Sequence, residues 1–135
     1  MKKLKKIFAM NEQNRKKTLL FVDDERMTLS AYKKYFEPSS EYNLIFADDG
    51  DSARKIIMEN KIDLVISDFN MPGLNGLQLL KMIKHKHVSA GFILCTGDKH
   101  IKDFALFLGA DHFLYKPIKF KELKGAILDI LKTGQ

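Results

Sequence analysis

Short apolar runs alternate with helix-patterned segments along almost the whole chain. The run at 64–66 is typical, since it leads directly into Ser67 and Asp68 and then into a turn that contains Pro72 and Gly73. The segments between the runs carry apolar side chains at helical spacing, and glycine, proline or serine separates the units. Five β-α units in strict alternation predict an α/β fold, in which a doubly wound parallel sheet has helices on both faces.

The apolar pattern also gives approximate bounds for the elements. The predicted strands cover residues 18–22, 42–47, 62–67, 92–95 and 112–115. The predicted helices cover 26–37 and 51–60, and three more are centred near Leu80, Ala105 and Ile127. Gly109 is expected to be the C-cap of the fourth helix. We assign the apolar helix residues, including Met27, Tyr35 and Phe104, to the core.

The net charge of +6 comes from one end of the chain. Residues 1–17 hold seven basic residues and one acidic residue, whereas the remaining residues hold 16 of each sign. We therefore expect a basic, flexible extension over 1–17 and one electrically neutral domain over 18–135. The extension is interpreted as a solvated leader or as an anchor for an acidic partner, a membrane surface or nucleic acid. A neutral domain argues against direct nucleic-acid binding.

Cysteine content and hydropathy favour a cytoplasmic protein. Cys95 is the one cysteine, so the chain has no internal disulfide, and we expect it to be an inert, buried strand residue. No apolar run reaches the roughly 20 residues that span a bilayer. The four histidines are scattered without metal-ligand spacing and are interpreted as surface residues.

Five polar side chains stand at the ends of predicted strands. Asp23 and Asp24 follow the first strand, Asp68 the third, Thr96 the fourth and Lys116 the fifth. The carboxyl ends of parallel strands meet at one edge of the sheet, so we expect these side chains to share one pocket. Three carboxylates repel one another unless a cation joins them, and oxygen ligands alone favour Mg²⁺, with Mn²⁺ as the alternative. Asp68 is then a candidate nucleophile that forms an aspartyl phosphate, with Lys116 and Thr96 on the phosphoryl oxygens.

Taken together, these motifs resemble a response-regulator receiver domain, the phosphoacceptor half of two-component signalling. The matching segments are 21–25, 67–73 with Gly76, 95–97, 109–111 and 116–117. The resemblance covers residues 18 to about 132. It implies the flavodoxin-like receiver fold, with five parallel strands in the order 2-1-3-4-5.

The resemblance also implies a role for the acidic residues. Asp68 would accept a phosphoryl group from a histidine kinase or a histidine phosphotransfer protein. The domain itself would catalyse this transfer and its own dephosphorylation, without being an enzyme in the usual sense. Asp23, Asp24 and Asp68, with the main-chain carbonyl of Asn70, would hold the magnesium ion.

Lys116 and Thr96 have implied roles beside the phosphoryl group. Lys116 would pair with it, and the Lys116–Pro117 bond is expected to be cis. Thr96 would swing toward it, and the aromatic residue three positions before the lysine, Phe113, would complete the switch. The resemblance implies that the signal leaves through the face formed by the fourth helix, the fifth strand and the fifth helix.

Three features depart from the family's pattern. Phe113 has no hydroxyl group, so a polar readout at that position is lost. The stretch from Thr96 to Gly109 is slightly shorter than is usual in receivers. Asn70 and Asp98 occupy two positions that tune the lifetime of the phosphoryl group, and we expect them to alter it.

The output of the chain has several interpretations. Leu106 and Phe107 add apolar bulk near the implied output face, either because they are buried or because they contact a downstream protein or a second copy. If the sequence is the whole protein, it is a stand-alone receiver that acts through protein contacts, and the sequence does not distinguish this case from a receiver cut from a longer protein. A phosphate relay or sink and a phosphorylation-independent interaction module are the alternatives.

Two other classes share parts of the pattern. A flavodoxin-like FMN carrier needs a phosphate-cradling loop after the first strand, where Asp23, Asp24 and Glu25 would repel phosphate. A phosphatase of the haloacid-dehalogenase type would need a second aspartate where Asn70 stands. Both are disfavoured.

Overall fold

A computed structural model describes residues 2–6 and 15–133. The strands are β1 (Thr18–Val22), β2 (Asn43–Ala47), β3 (Leu64–Asp68), β4 (Gly91–Thr96) and β5 (His112–Tyr115). The helices of the domain are α1 (Arg26–Phe36), α2 (Gly50–Glu59), α3 (Gly76–His85), α4 (Lys102–Phe107) and α5 (Phe120–Thr133). Most of the predicted basic extension, including residues 7–14, lies outside the described residues, so its flexibility stays a prediction.

The strands form one parallel sheet in the order β2-β1-β3-β4-β5, which confirms the predicted topology. Each connection between consecutive strands contains a helix, because parallel strands need a long crossover. All residues of β1 and β3 are buried. Their continuous apolar character follows from this position, since a central parallel strand is covered on both faces.

Two apolar layers hold the helices against the sheet. On one side α2, α3 and α4 pack on side chains such as Leu20 and Leu94. On the other side α1 and α5 pack on Phe21 and Ile93. Tyr32 of α1 stacks on Phe21 with the ring centroids 4.6 Å apart, which fixes α1 beside the end of β1.

The structure moves the start of β3 from residue 62 to Leu64. Asp63, just before the strand, accepts a hydrogen bond from the Thr18 backbone N–H through its carboxylate, at 2.7 Å. Its own backbone N–H donates to the Thr18 carbonyl oxygen at 3.0 Å. A side chain thus replaces a strand carbonyl at this position, and the regular ladder begins one residue later.

Some apolar helix residues lie outside the core. Met27 is 85% exposed, and Tyr35 and Phe104 are also exposed, so their assignment to the core is wrong. Leu106 and Phe107 are exposed as well, which excludes burial as the reason for their apolar character. Helical spacing identifies an apolar stripe, but it does not tell how much of the stripe the sheet covers.

Three further predictions concern the C-cap of α4, the burial of Cys95 and the exposure of the histidines. Leu108 is the C-cap of α4, and Gly109 follows it with φ +106°, so the predicted cap is one residue too late. Cys95 is buried as expected, and burial raises the pKa of its thiol to about 12. Three histidines are exposed, whereas His112 is half-buried.

Within the described ranges, every helix is too short or too polar to cross a bilayer.

Candidate functional site

The carboxyl edge of the sheet gathers the predicted acidic residues. Asp68 is the last residue of β3 and is 6% exposed, and Asp23 follows β1 and is 1% exposed. Asp24, next in the chain, is exposed. One carboxylate oxygen from each of the three lies within 4.8 Å of the others. The sequence prediction that these side chains converge is confirmed.

Side-chain alternation decides which face of the sheet each group occupies. Asp68 follows Ile66 by two residues and pairs with Cys95 of β4, and both of these partners pack in the α1–α5 layer. Thr96, one residue after Cys95, therefore lies on the opposite side, with Leu94. The site straddles the edge of the sheet, with the buried carboxylates on one face and the threonine on the other.

Lys116 joins the two buried carboxylates. Its Nζ lies 3.0 Å from Oδ2 of Asp23 and 3.3 Å from Oδ1 of Asp68. The backbone N–H of Lys116 donates to the Thr96 carbonyl oxygen at 3.0 Å, which fixes the lysine at the end of β5. The Lys116–Pro117 peptide bond is cis, as expected.

The charges of this cluster do not balance. Three carboxylates face one ammonium group, which leaves a net charge of −2 around a set of oxygen atoms. Burial raises the pKa of the Asp68 carboxyl, and the Asp23 charge acts in the same direction, while Lys116 only partly offsets them. A divalent cation with a preference for oxygen would remove this repulsion, so the residues fit Mg²⁺.

The lysine is stabilised in its charged form. Burial alone lowers the pKa of Lys116, but the hydrogen bond to Asp23 and the charges of Asp23 and Asp68 outweigh it, and the pKa is raised. The ammonium group is therefore a fixed positive charge at neutral pH. It stands where an anionic oxygen bound to Asp68 would need one.

The loop after β3 is held in a single shape by short-range contacts. Asn75 and Gln78 form a capping box, in which each side chain accepts the other residue's backbone N–H at 2.8–2.9 Å. A Cβ atom on Gly76 would lie only 2.4 Å from the Asp68 carbonyl oxygen, so only glycine fits. Gly73 has φ +74°, a conformation that favours glycine.

This loop brings Asn70 to the acidic cluster. Asp24, Asn70 and the adjoining Met71, Pro72 and Asn75 line a cavity of about 380 Å³. The predicted neighbourhood of Asp24 and Asn70 is thus present. The role of the Asn70 carbonyl as a metal ligand stays a prediction.

Thr96 is buried and is engaged by its own loop. Its Oγ1 accepts a hydrogen bond from the Asp98 backbone N–H at 3.2 Å, and the Asp98 side chain accepts one from the His100 N–H at 2.9 Å. Nothing lies within 4 Å of a Cβ atom built on Gly97, so the loop has open space beside it. If the Thr96 hydroxyl turned toward Asp68, the loop before α4 would lose this contact.

Phe113 is buried in the layer under α4 and does not reach the surface. Its ring meets that of Tyr115 edge-on, with the centroids 4.9 Å apart. Tyr115 is exposed and pairs with Thr96 in the sheet register. The predicted switch residues are therefore close in the sheet, but their motion stays a prediction.

One feature beside the cluster has no counterpart in the sequence prediction. A mostly apolar cavity of about 640 Å³ lies between α1 and the segment after β5, and its lining includes Glu25, Met27, Tyr32, Lys116 and Phe120. Sequence reasoning assigned Met27 to the core and missed this groove. The only available signal was the position of Met27 in the first turn of a helix that directly follows the acidic residues.

Comparisons with known proteins agree with this geometry. The family model described as the response regulator receiver domain matches residues 19–128. The aerobic respiration control protein ArcA of Escherichia coli is 36% identical over 106 residues, which are 78% of this chain and 44% of ArcA. The transcriptional regulatory protein CpxR of the same species is 35% identical over 117 residues, 86% of this chain and 50% of CpxR. This chain thus spans half or less of these curated relatives.

Solved structures show the same fold. The response regulator protein TrrA of Thermotoga maritima, determined in complex with Mg²⁺-BeF, superposes with a TM-score of 0.76 and 32% identity. The match covers 84% of this chain and 98% of TrrA.

Proposed function

The chain belongs to the response regulator receiver domain family, and from that premise we propose that it is a phosphorylation-dependent switch with Asp68 as the phosphoacceptor. One observation carries the proposal: the Lys116 ammonium group lies within 3.3 Å of both Asp23 and Asp68, inside a cluster of three carboxylates. A charge cluster of this kind at a sheet edge is suited to hold a divalent cation together with a phosphoryl group.

The proposed reaction is a phosphoryl transfer from a phosphohistidine. An Asp68 carboxylate oxygen attacks phosphorus, the P–O bond forms, the P–N bond breaks, and the imidazole takes up a proton as it leaves. Lys116 neutralises charge on the phosphoryl oxygens, and Thr96 donates its hydroxyl hydrogen to one of them. Asp23, Asp24, Asp68 and the Asn70 carbonyl would hold Mg²⁺, which supplies further charge neutralisation when bound.

The groove beside α1 is the candidate docking surface for the histidine donor. This groove includes Lys116 itself and the exposed Met27 side chain, so a partner seated there would contact the cluster directly. The groove as a whole is mostly apolar and borders the charged site, and an apolar surface rimmed by polar groups is typical of a protein contact. We propose that a histidine kinase or a histidine phosphotransfer protein docks here, in the cytoplasm.

The output surface is proposed to be the α4-β5-α5 face. Leu106, Phe107 and Tyr115 are exposed there, and Tyr115 pairs with Thr96 in the sheet. Loss of the Thr96–Asp98 contact on phosphorylation would change the loop that leads into α4, a helix of only six residues. A downstream protein or a second copy would then distinguish the two states of this face.

The test is phosphoryl incorporation by intact mass spectrometry, with a small acyl phosphate as donor. We expect a Mg²⁺-dependent gain of one phosphoryl group in the wild type and none in Asp68→Asn. The matched control is Asp103→Asn, which changes an exposed aspartate in the first turn of α4 and should incorporate phosphoryl normally. Incorporation into Asp68→Asn would overturn the assignment of the phosphoacceptor.

A further inference from the structure

A second polar cavity lies at the amino edge of the sheet, opposite Asp68. Its volume is about 630 Å³, and it is bounded by the loop before β4 and by the end of α5. Three lysines (Lys17, Lys61 and Lys84) and two aspartates (Asp63 and Asp111) line it. The lysines come from three separate segments of the chain, so only the fold brings them together.

Both aspartates of this cavity have structural partners. Asp63 accepts two hydrogen bonds from Nη2 of Arg15, at 2.8 and 3.1 Å, and one from the Thr18 backbone N–H. Asp111 accepts a hydrogen bond from the Phe92 backbone N–H at 2.8 Å. Among the described lining residues the three lysines outnumber the two aspartates, so the lining has a formal charge of +1.

Two glycines allow close packing at the wall of the cavity and beside one of its lysines. A Cβ atom on Gly109 would lie 2.7 Å from Cε of Lys84, so the stem of Lys84 rests where a side chain would otherwise stand. A Cβ atom on Gly91 would lie 2.7 Å from Cγ2 of Ile130, another lining residue. In the described part of the chain, no hydrogen bond or ion pair engages the ammonium groups of Lys17 and Lys84.

We propose that this cavity binds a small, multiply charged anion that carries phosphate groups. Its volume falls in the range of small-molecule sites, about 300–1,000 Å³. Lysine ammonium groups act as point charges toward phosphate oxygens. None of the described lining residues is aromatic, so the walls offer no platform for a nucleobase. The site is independent of Asp68 and goes beyond the proposed switch.

The experiment titrates inorganic pyrophosphate into the full chain and follows the backbone amides by NMR, without Mg²⁺ or a phosphodonor. We expect saturable shifts that are centred on Ser89, Ala90 and Gly91. Lys84→Met keeps the apolar stem over Gly109 and removes the charge, and it should weaken binding about tenfold. Lys17→Met should have a similar effect.

The matched control removes charge at the opposite edge of the domain. Lys99→Met and Lys102→Met change exposed lysines just before α4 and at its first position and should leave pyrophosphate binding unchanged. Equal weakening by both pairs, or shifts spread over all surface lysines, would overturn the proposal, because binding would then reflect net charge alone.

A second arm identifies the source of the phosphate. Vesicles that contain cardiolipin, whose headgroup carries two phosphates, replace pyrophosphate in a sedimentation assay with the same variants. Sedimentation that is lost in Lys84→Met assigns the site to a lipid headgroup. Pyrophosphate binding without sedimentation assigns it to a soluble phosphorylated compound. Failure of both probes would overturn the proposal while leaving phosphorylation of Asp68 unaffected.

Discussion

Asp63 and Asp68 lie at opposite ends of β3 and have the same type of side chain, but the two carboxylates differ in their partners. Asp63 is surrounded by partners from its own chain, namely the Arg15 guanidinium and the Thr18 N–H. Asp68 shares a single ammonium group with Asp23, and burial raises its pKa. A carboxylate with a full set of partners stabilises the fold, whereas one with too few is a cost to the fold and is available to a ligand.

Loss of the Asp63 carboxylate tests the structural half of this comparison, and its effect should be the largest. Asp63→Ala leaves the Arg15 guanidinium and the Thr18 N–H without their partner. We expect the free energy of unfolding to fall by about 3 kcal/mol, measured by urea denaturation. Asp103→Ala, an exposed control, should change it by less than about 0.5 kcal/mol. Equal effects of the two variants would show that Asp63 contributes no special stability.

Asp68 tests the other half, with the opposite sign. Asp68→Asn removes a charge from a repulsive cluster and should raise the free energy of unfolding by about 1 kcal/mol without Mg²⁺. Mg²⁺ should stabilise the wild type and have a much smaller effect on the variant. A variant less stable than the wild type in Mg²⁺-free buffer would contradict the idea that this site is strained by its own charges.

Acidification should reduce the difference in the free energy of unfolding between the wild type and Asp68→Asn. Because the folded state raises the pKa of Asp68, the folded protein binds this proton more tightly than the unfolded chain does. The penalty is present above the folded-state pKa and disappears as the pH falls through it toward the unfolded value. Unfolding at a series of pH values without Mg²⁺ should therefore show the advantage of Asp68→Asn shrinking. An advantage that grew as the pH fell would reverse the sign of the argument.

Substitution of Asn70 or Asp98, at the carboxyl edge of the sheet, should have the smallest effect, which is a change in the phosphoryl lifetime. Asn70 borders the cavity with Asp24, and the Asp98 N–H donates to Thr96. Asn70→Ala and Asp98→Ala should each change the phosphoryl lifetime by about threefold, which is under about 1 kcal/mol. Loss of the phosphoryl mass over time measures it, and Asn43→Ala at the amino edge is the control. Lifetimes equal to that of the wild type would show that neither residue affects dephosphorylation.

The residues at the carboxyl edge of the sheet could be predicted because their positions follow from the order of the apolar runs in the sequence. Asp23, Asp68 and Lys116 each follow an apolar run, and parallel strands place such positions at one edge of the sheet. The rest depends on side-chain packing that has no sequence period. The engagement of Thr96 by the Asp98 N–H and the burial of Phe113 are of this kind.

The amino edge shows why other features escaped sequence reasoning. Lys17, Lys61 and Lys84 lie far apart in the chain, and none belongs to a motif. Lys17 was counted with the basic extension, and the neutral total of residues 18–135 hid the grouping of Lys61 and Lys84, since a sum over residues contains no positions. The exposure of Met27 was missed for a related reason. Its spacing places it on an apolar stripe of the helix, but the spacing does not tell whether the sheet covers that part of the stripe.

If Asp68 is the carboxylate that accepts the phosphoryl group, the intact mass of the protein must change after treatment with an acyl phosphate. We predict one added phosphoryl group with Mg²⁺, none without it, and none in Asp68→Asn. We also predict normal incorporation in Lys84→Met, whose charge lies at the other edge of the sheet. Wild-type protein that binds Mg²⁺ but gains no mass would contradict this assignment of Asp68.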